Sequence, residues 1–168
     1  MAHHLASPVI AGVCQSLQYC YAANLETFLR AVLDKSADKD AQGQACFTLA
    51  KVLEGRAEYV DRIRDGDASL RTYLEQSWGK PFVEKLLAAG SAPLAKEAEA
   101  LFVRVTEKYA DVARGSLADQ AKTDLFELRN LSIGKAAPEI VGTDVAGKPI
   151  KLSDFRGKVV MLDFWGFW

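Results

Sequence analysis

The chain closes on KVVMLDFWGFW, residues 158–168. Val159, Val160, Met161, Leu162 and Phe164 put apolar side chains on both sides of an extended backbone, the pattern of a strand buried on both faces in a parallel sheet. Asp163 interrupts the run and Gly166 closes it. The spacing therefore predicts a strand over Val159–Trp165, with Phe164 and Trp165 as core residues rather than contacts. What surrounds that strand decides the kind of fold.

Immediately upstream, LSIGKAAPEIVGTDVAGKPIKLSDFRGK (131–158) is dense in Gly and Pro, and its apolar period moves from helical towards two. Glu139–Thr143 reads as a strand, DVAG (144–147) as a turn, and Lys148–Leu152 as the returning strand. Pro149 has no N–H to give to a ladder and suits an edge. SDFRGK (153–158) reads as a short turn or one helical turn capped by Ser153.

Residues 8 to about 131 have a different texture and read as helices throughout. Ile10, Val13, Cys14, Leu17 and Tyr21 make one helical stripe, with Ser7 and Pro8 as N-cap and first helical residue. Asn24 is expected to cap a helix carrying Leu25, Phe28, Leu29, Val32 and Leu33. A longer helix presents Ala45, Leu49, Val52, Leu53, Val60 and Ile63 on one face and ends near Gly66. Between 68 and 89 one helix runs to Trp78 and a second is opened by Pro81, with Gly79 between them. Ser91 and Pro93 begin another, faced by Ala98, Leu101, Phe102, Val105 and Tyr109. Ser116 is expected to cap the last, with Asp119 completing a capping box and Ala118, Ala121, Leu125 and Leu128 as its face.

Two helical stretches are alike. LETFLRAVLDKSAD (25–38) aligns with AEALFVRVTEKYAD (98–111), pairing Glu26 with Glu99, Val32 with Val105 and Lys35 with Lys108 at an offset of 73. That offset is about twice a ~34-residue helix-turn-helix repeat. The second stretch resembles tetratricopeptide-type hairpins, which stack because one pair cannot bury its own face. A plain helical bundle fits the same pattern.

Charge and cysteines exclude several classes. Lys plus Arg number 21 and Asp plus Glu 22, giving a net charge of −1, so there is no basic excess to draw nucleic acid. No apolar run approaches the ~20 residues of a membrane-spanning helix. IAGVC (10–14) loosely resembles a lipoprotein cleavage box, but MAHH is not a basic leader and Val13 stands where a small residue belongs. The three cysteines, Cys14, Cys20 and Cys46, contain no C-x-x-C and are odd in number, against a disulfide framework. Cys14 and Cys46 sit on apolar stripes and Cys20 borders one, as small hydrophobes do. His3 and His4 alone make no metal site. No cofactor is expected.

The C-terminal motifs are familiar as a set. IGKAAPEIVGTDVAGKPIKLSDFRGKVVMLDFWGFW (133–168) closely resembles the opening of a thioredoxin-like domain of the TlpA and AhpC/TSA (redoxin) group. That opening runs IG-x-x-AP-(E/D), D-x-x-GK, LSD-(F/Y)-RGKVV, then a strand ending FW-x-x-W. The resemblance implies two domains: a helical one over 1–131, and the N-terminal part of a thioredoxin-like domain over 132–168. The fold class is thus mainly α, tetratricopeptide-like hairpins or a bundle, followed by the first strands of an incomplete α/β thioredoxin-like fold.

The same resemblance implies the chemistry. In the family the residue after the last tryptophan begins a C-x-x-C, whose first thiolate is stabilised at a helix N-terminus. It attacks a disulfide, and the second cysteine resolves the mixed disulfide. Those cysteines are absent here, so this chain is expected to be inactive, its full-length parent being a thiol-disulfide oxidoreductase with antioxidant or redox activity. Asp163 matches the buried acid beneath the resolving cysteine, where burial would raise its pKa and let it shuttle a proton. Trp168 matches the tryptophan that shapes the substrate-facing surface, with Trp165 beside it. A protein disulfide or dithiol, or a thioredoxin-type reductant, is the implied partner, and the cell envelope the implied compartment. Three accounts fit the stop: a fragment, a helical protein with a vestigial redoxin tail, or a selenoprotein whose first active-site residue is encoded by an in-frame stop codon. A peroxiredoxin-type peroxidase and a helical module binding a protein on its concave face are the alternatives in function.

Overall fold

The computed structural model describes residues 7, 9–20 and 22–166. Helix accounts for 69% of the structure, with one two-stranded antiparallel sheet. The chain divides into two compact units, Met1–Leu128 and Arg129–Trp168.

The first unit is organised by one long helix. In chain order its helices are α1 (Ile10–Ser16), α2 (Leu25–Lys35), α3 (Lys39–Arg64), α4 (Ala68–Trp78), α5 (Lys80–Ala89), α6 (Ser91–Lys108) and α7 (Ser116–Asn130), the last running two residues past the unit boundary. With 26 residues, α3 is about 39 Å long at 1.5 Å per residue. Asp38 starts it by accepting a hydrogen bond from the Asp40 N–H at 3.0 Å. Its first half is buried all round: every residue from Gly43 to Ala50 is covered, because α1, α2 and α6 pack around it. The sequence predicts a single apolar face here. Small residues both on that face, as Ala45 is, and off it, Gly43, Cys46 and Ala50, let three helices approach at once.

Gly43 marks the tightest approach. A Cβ there would stand 2.9 Å from Val112 Cγ2 and 3.2 Å from Tyr109 Cβ. Tyr109 is fully buried, and its hydroxyl donates to Gln42 Oε1 at 3.2 Å. The second half of α3 carries Ala57 and Val60, buried like Leu74 of α4 and Val83 and Leu86 of α5. Gly79, at φ +87°, takes the left-handed turn between α4 and α5.

Several expected helix starts differ. Helix α1 begins at Ile10 after Val9, whereas Ser7 contributes its carbonyl to the Ile10 N–H, and Pro8 and Tyr21 lie outside the described residues. Val13, expected on the buried stripe, is 40% exposed. Asn24 precedes α2 but its side chain makes no capping bond. Ser116 and Asp119 form no capping box: the Ser116 hydroxyl donates back to the Ala113 carbonyl at 2.9 Å, and Asp119 pairs with Lys122. The cause is the backbone before α7, where Ala113 (φ 50°) and Arg114 (φ 57°) are both left-handed and turn the Ala113 carbonyl towards Ser116.

In the second unit β1 (Val141–Thr143) pairs with β2 (Pro149–Lys151), shorter by about two residues each than the expected strands. The register sets Val141 opposite Lys151 and Thr143 opposite Pro149. Asp144 builds the turn, its Oδ1 accepting from the N–H groups of Ala146 and Lys148 at 2.9 Å each. One 3₁₀ turn, Leu152–Phe155, follows. Its side-chain bond runs from the Lys151 N–H to Asp154 Oδ2 rather than to Ser153. Residues 159–165 form no strand. They carry no regular secondary structure and are exposed, Val159 at 103% and Met161 at 91%. A strand is defined by a ladder, and β1 and β2 pair only with each other.

Gly43→Ala should lower stability by about 1–3 kcal/mol, the typical cost of overpacking a tight core, read as a fall in urea midpoint at unchanged slope. Arg114→Gly should raise it by about 0.5–1 kcal/mol, because a left-handed non-glycine residue costs ~1–2 kcal/mol and glycine gives back part of that in chain entropy; a chemical denaturation curve reads it directly.

Candidate functional site

The three residues that the sequence singles out all lie at the C-terminal end. Asp163 is exposed, and Trp165 is 74% exposed. Trp168 lies outside the described residues. Phe164, expected in the core, is 81% exposed. No strand of the hairpin β1–β2 pairs with 159–165. The hairpin itself is held by polar bonds: Glu139 accepts from the Ser153 N–H at 2.9 Å, which keeps its carboxyl below the usual range.

The thiols are dispersed. Cys14 and Cys46 are fully buried, and burial pushes both up to about 11, so neither is a thiolate at neutral pH. Cys46 donates weakly to the Leu101 carbonyl at 3.6 Å. Cys20 is exposed, and no described cysteine is in a disulfide. Among the described residues no group of three His, Cys, Asp or Glu could hold a metal ion.

The densest polar arrangement is elsewhere and centres on Arg56. Its side chain is 3% exposed on α3. The guanidinium bonds Glu26 of α2 and donates to the Ala23 carbonyl at 3.1 Å. It also lies 5.7 Å from the Trp78 ring centre and 5.2 Å from that of Phe82, so two aromatic faces replace water around the charge. Glu26 in turn binds Arg30, which reaches Glu97 of α6 at 2.7 Å. Burial pushes Glu26 up, but the bonds to Arg30 and the charges of Arg30 and Arg56 outweigh it and hold the carboxyl low. Burial pulls Arg56 below its ordinary range, opposed by Glu26. A cavity of about 40 Å³ lies beside it, bordered by Cys20, Lys51, Tyr59 and Trp78. It has room for little more than water, so the cluster joins helices and does not form a substrate pocket.

Sequence reasoning missed this cluster, although one sign was visible. Leu49, Leu53, Arg56 and Val60 follow the helical period, which places a charge on the buried stripe.

With the geometry in view, the resemblance of the C-terminal stretch can be set against known proteins. The chain is 58% identical over 38 residues to a thiol-disulfide oxidoreductase ResA of Bacillus thuringiensis subsp. konkukian (strain 97-27), covering 23% of this chain and 22% of that protein. It is 46% identical over 55 residues to one from Bacillus anthracis, covering 33% and 27%, and 50% identical over 47 residues to one from Geobacillus kaustophilus (strain HTA426), covering 27% of each. These matches support a thioredoxin-like redoxin. The chain spans about a fifth to a quarter of the length of the curated relatives it matches. No protein-family model matches the chain, and no solved structure does. The shorter matches have about the length of the redoxin-like stretch, 132–168, which holds the hairpin and the 3₁₀ turn of the second unit.

Glu26→Gln should destabilise the protein by roughly 2–3 kcal/mol, somewhat less than the 3–5 typical of a fully buried pair because the carboxylate is 31% exposed. Arg56→Met should cost less, since Glu26 keeps Arg30. The wild-type advantage over Glu26→Gln is present above the ordinary carboxylate range and is lost as pH falls through the depressed Glu26 value; paired thermal melts across acid pH measure it.

Proposed function

We propose that this protein acts as a thiol-disulfide oxidoreductase of the redoxin kind, with a helical domain over 1–131 preceding a thioredoxin-like domain that opens at 132–168. The observation that carries the reading is the ordered motif series IG-x-x-APE, D-x-x-GK and LSDFRGKVV, in a chain 58% identical over 38 residues to a protein named thiol-disulfide oxidoreductase. That name also favours disulfide exchange over a peroxidase. The helical body then serves as a stacked, tetratricopeptide-like or bundle platform for a protein partner.

In this reading Val159–Trp165 is the central strand once neighbouring strands flank it, and burial there gives Asp163 its role. A buried carboxyl beneath a resolving cysteine accepts that cysteine's proton as the mixed disulfide is resolved, with the electron pair passing from the attacking thiolate to the departing sulfur. Trp165 and Trp168 would frame the substrate face. The 168-residue chain itself has no thiol suited to the task, since Cys14 and Cys46 are buried with thiols near 11 and Cys20 stands without a resolving partner in sequence.

Insulin reduction with dithiothreitol tests this. The 168-residue chain should not exceed the dithiothreitol blank, whereas the protein at its natural length should precipitate insulin faster than the blank. Activity in the short chain, or none in the natural-length protein, overturns the proposal.

A further inference from the structure

Helix α7 differs from the other long helices in how it is held. Its apolar face, Leu117, Ala118, Ala121 and Leu125, is buried. Behind it stands the strained turn in which Ala113, Arg114 and Gly115 are all left-handed, a conformation that two non-glycine residues hold only under constraint. In front of it an ion pair reaches across from α3: Lys51 Nζ lies 3.2 Å from Asp124 Oδ1 of α7 and 2.7 Å from Glu54 Oε2 of its own helix. One ammonium thus serves two carboxylates, and Glu127 of α7 adds a third negative charge nearby. The Phe102 ring of α6 lies 6.0 Å from the Lys51 ammonium, and Lys51 borders the small cavity together with Cys20, Arg56 and Tyr59.

We propose that α7 is a hinged arm that swings off α3 about Ala113–Gly115, and that Lys51, shared between Glu54 and Asp124, is its latch. Strain at the hinge favours release, and the divided cation holds the arm incompletely. The arm leads in sequence into Arg129 and the redoxin-like stretch. Protons tighten the latch. Burial pushes Glu54 above the ordinary carboxylate range, Lys51 opposing and Asp124 and Glu127 adding to the rise. A raised carboxyl contributes stability below its unfolded value and loses it as pH rises through the folded value, so the arm is looser at neutral pH than in mild acid.

Hydrogen exchange on the whole chain at about pH 8 and about pH 5, with intrinsic exchange rates divided out, tests the device. In the wild type, α7 amides should exchange through an opening that leaves α3 protected, and α7 protection should rise on acidification. Glu54→Gln should raise α7 protection at the higher pH by roughly two- to fivefold, the range of a partly exposed ion pair, and abolish most of the pH response. Asp124→Asn should lower α7 protection there by a similar factor with α3 unchanged. The proposal fails if α7 and α3 exchange together at both pH values, if Glu54→Gln keeps the wild-type pH response, or if Asp124→Asn lowers both helices equally.

Discussion

A guanidinium stripped of water is the constraint around which the helical unit is arranged. Arg56 sits on the buried stripe of α3, where an unpaired charge would cost several kcal/mol. It is tolerated because a carboxylate from α2, a carbonyl at Ala23 and two aromatic faces from α4 and α5 converge on it. Each of those partners is thereby fixed relative to α3. The chain of charge continues through Glu26 and Arg30 to Glu97, so α6 joins the same arrangement at its more exposed end.

The remainder of the unit follows from the dimensions of α3. A helix covered on all sides needs neighbours on all sides, and the small residues of its first half let α1, α2 and α6 come close enough. Gly43 is the extreme case, with Val112 and Tyr109 occupying the space a methyl group would need. The backbone leaving Val112 then turns left-handed to begin α7. Tight packing at Gly43 and strain at Ala113 are therefore neighbouring events in the chain, and α7 is reached only through both.

The redoxin-like stretch obeys different physics. Its hairpin is stabilised locally by the Asp144 turn, the Glu139–Ser153 bond and a short ladder, none of which needs a core. The apolar run that follows has no such local support. Val159 to Trp165 gain nothing from being extended unless other strands receive their N–H and C=O groups and other layers cover their side chains, and here they stay exposed. Local polar bonds and long-range burial thus part company within some twenty residues.

The amino-acid pattern alone determined the helical body, its breaks at Gly66 and Gly79, the buried face of α6, the hairpin with Pro149 in its second strand, and the likeness of 132–168 to thiol-disulfide oxidoreductases. The likeness rests on a run of linked motifs; the others rest on periodicity or turn chemistry, which act over a few residues. The buried thiols were legible too, since Cys14 and Cys46 follow apolar stripes. Only tertiary structure decided that Arg56 is enclosed by α2, α4 and α5, that Val112 and Tyr109 close on Gly43, and that Asp163 and Trp165 stand in solvent. Those outcomes depend on which distant segments meet, and on whether a strand has neighbours, because burial and ladder pairing are properties of the assembled layers and not of any one segment.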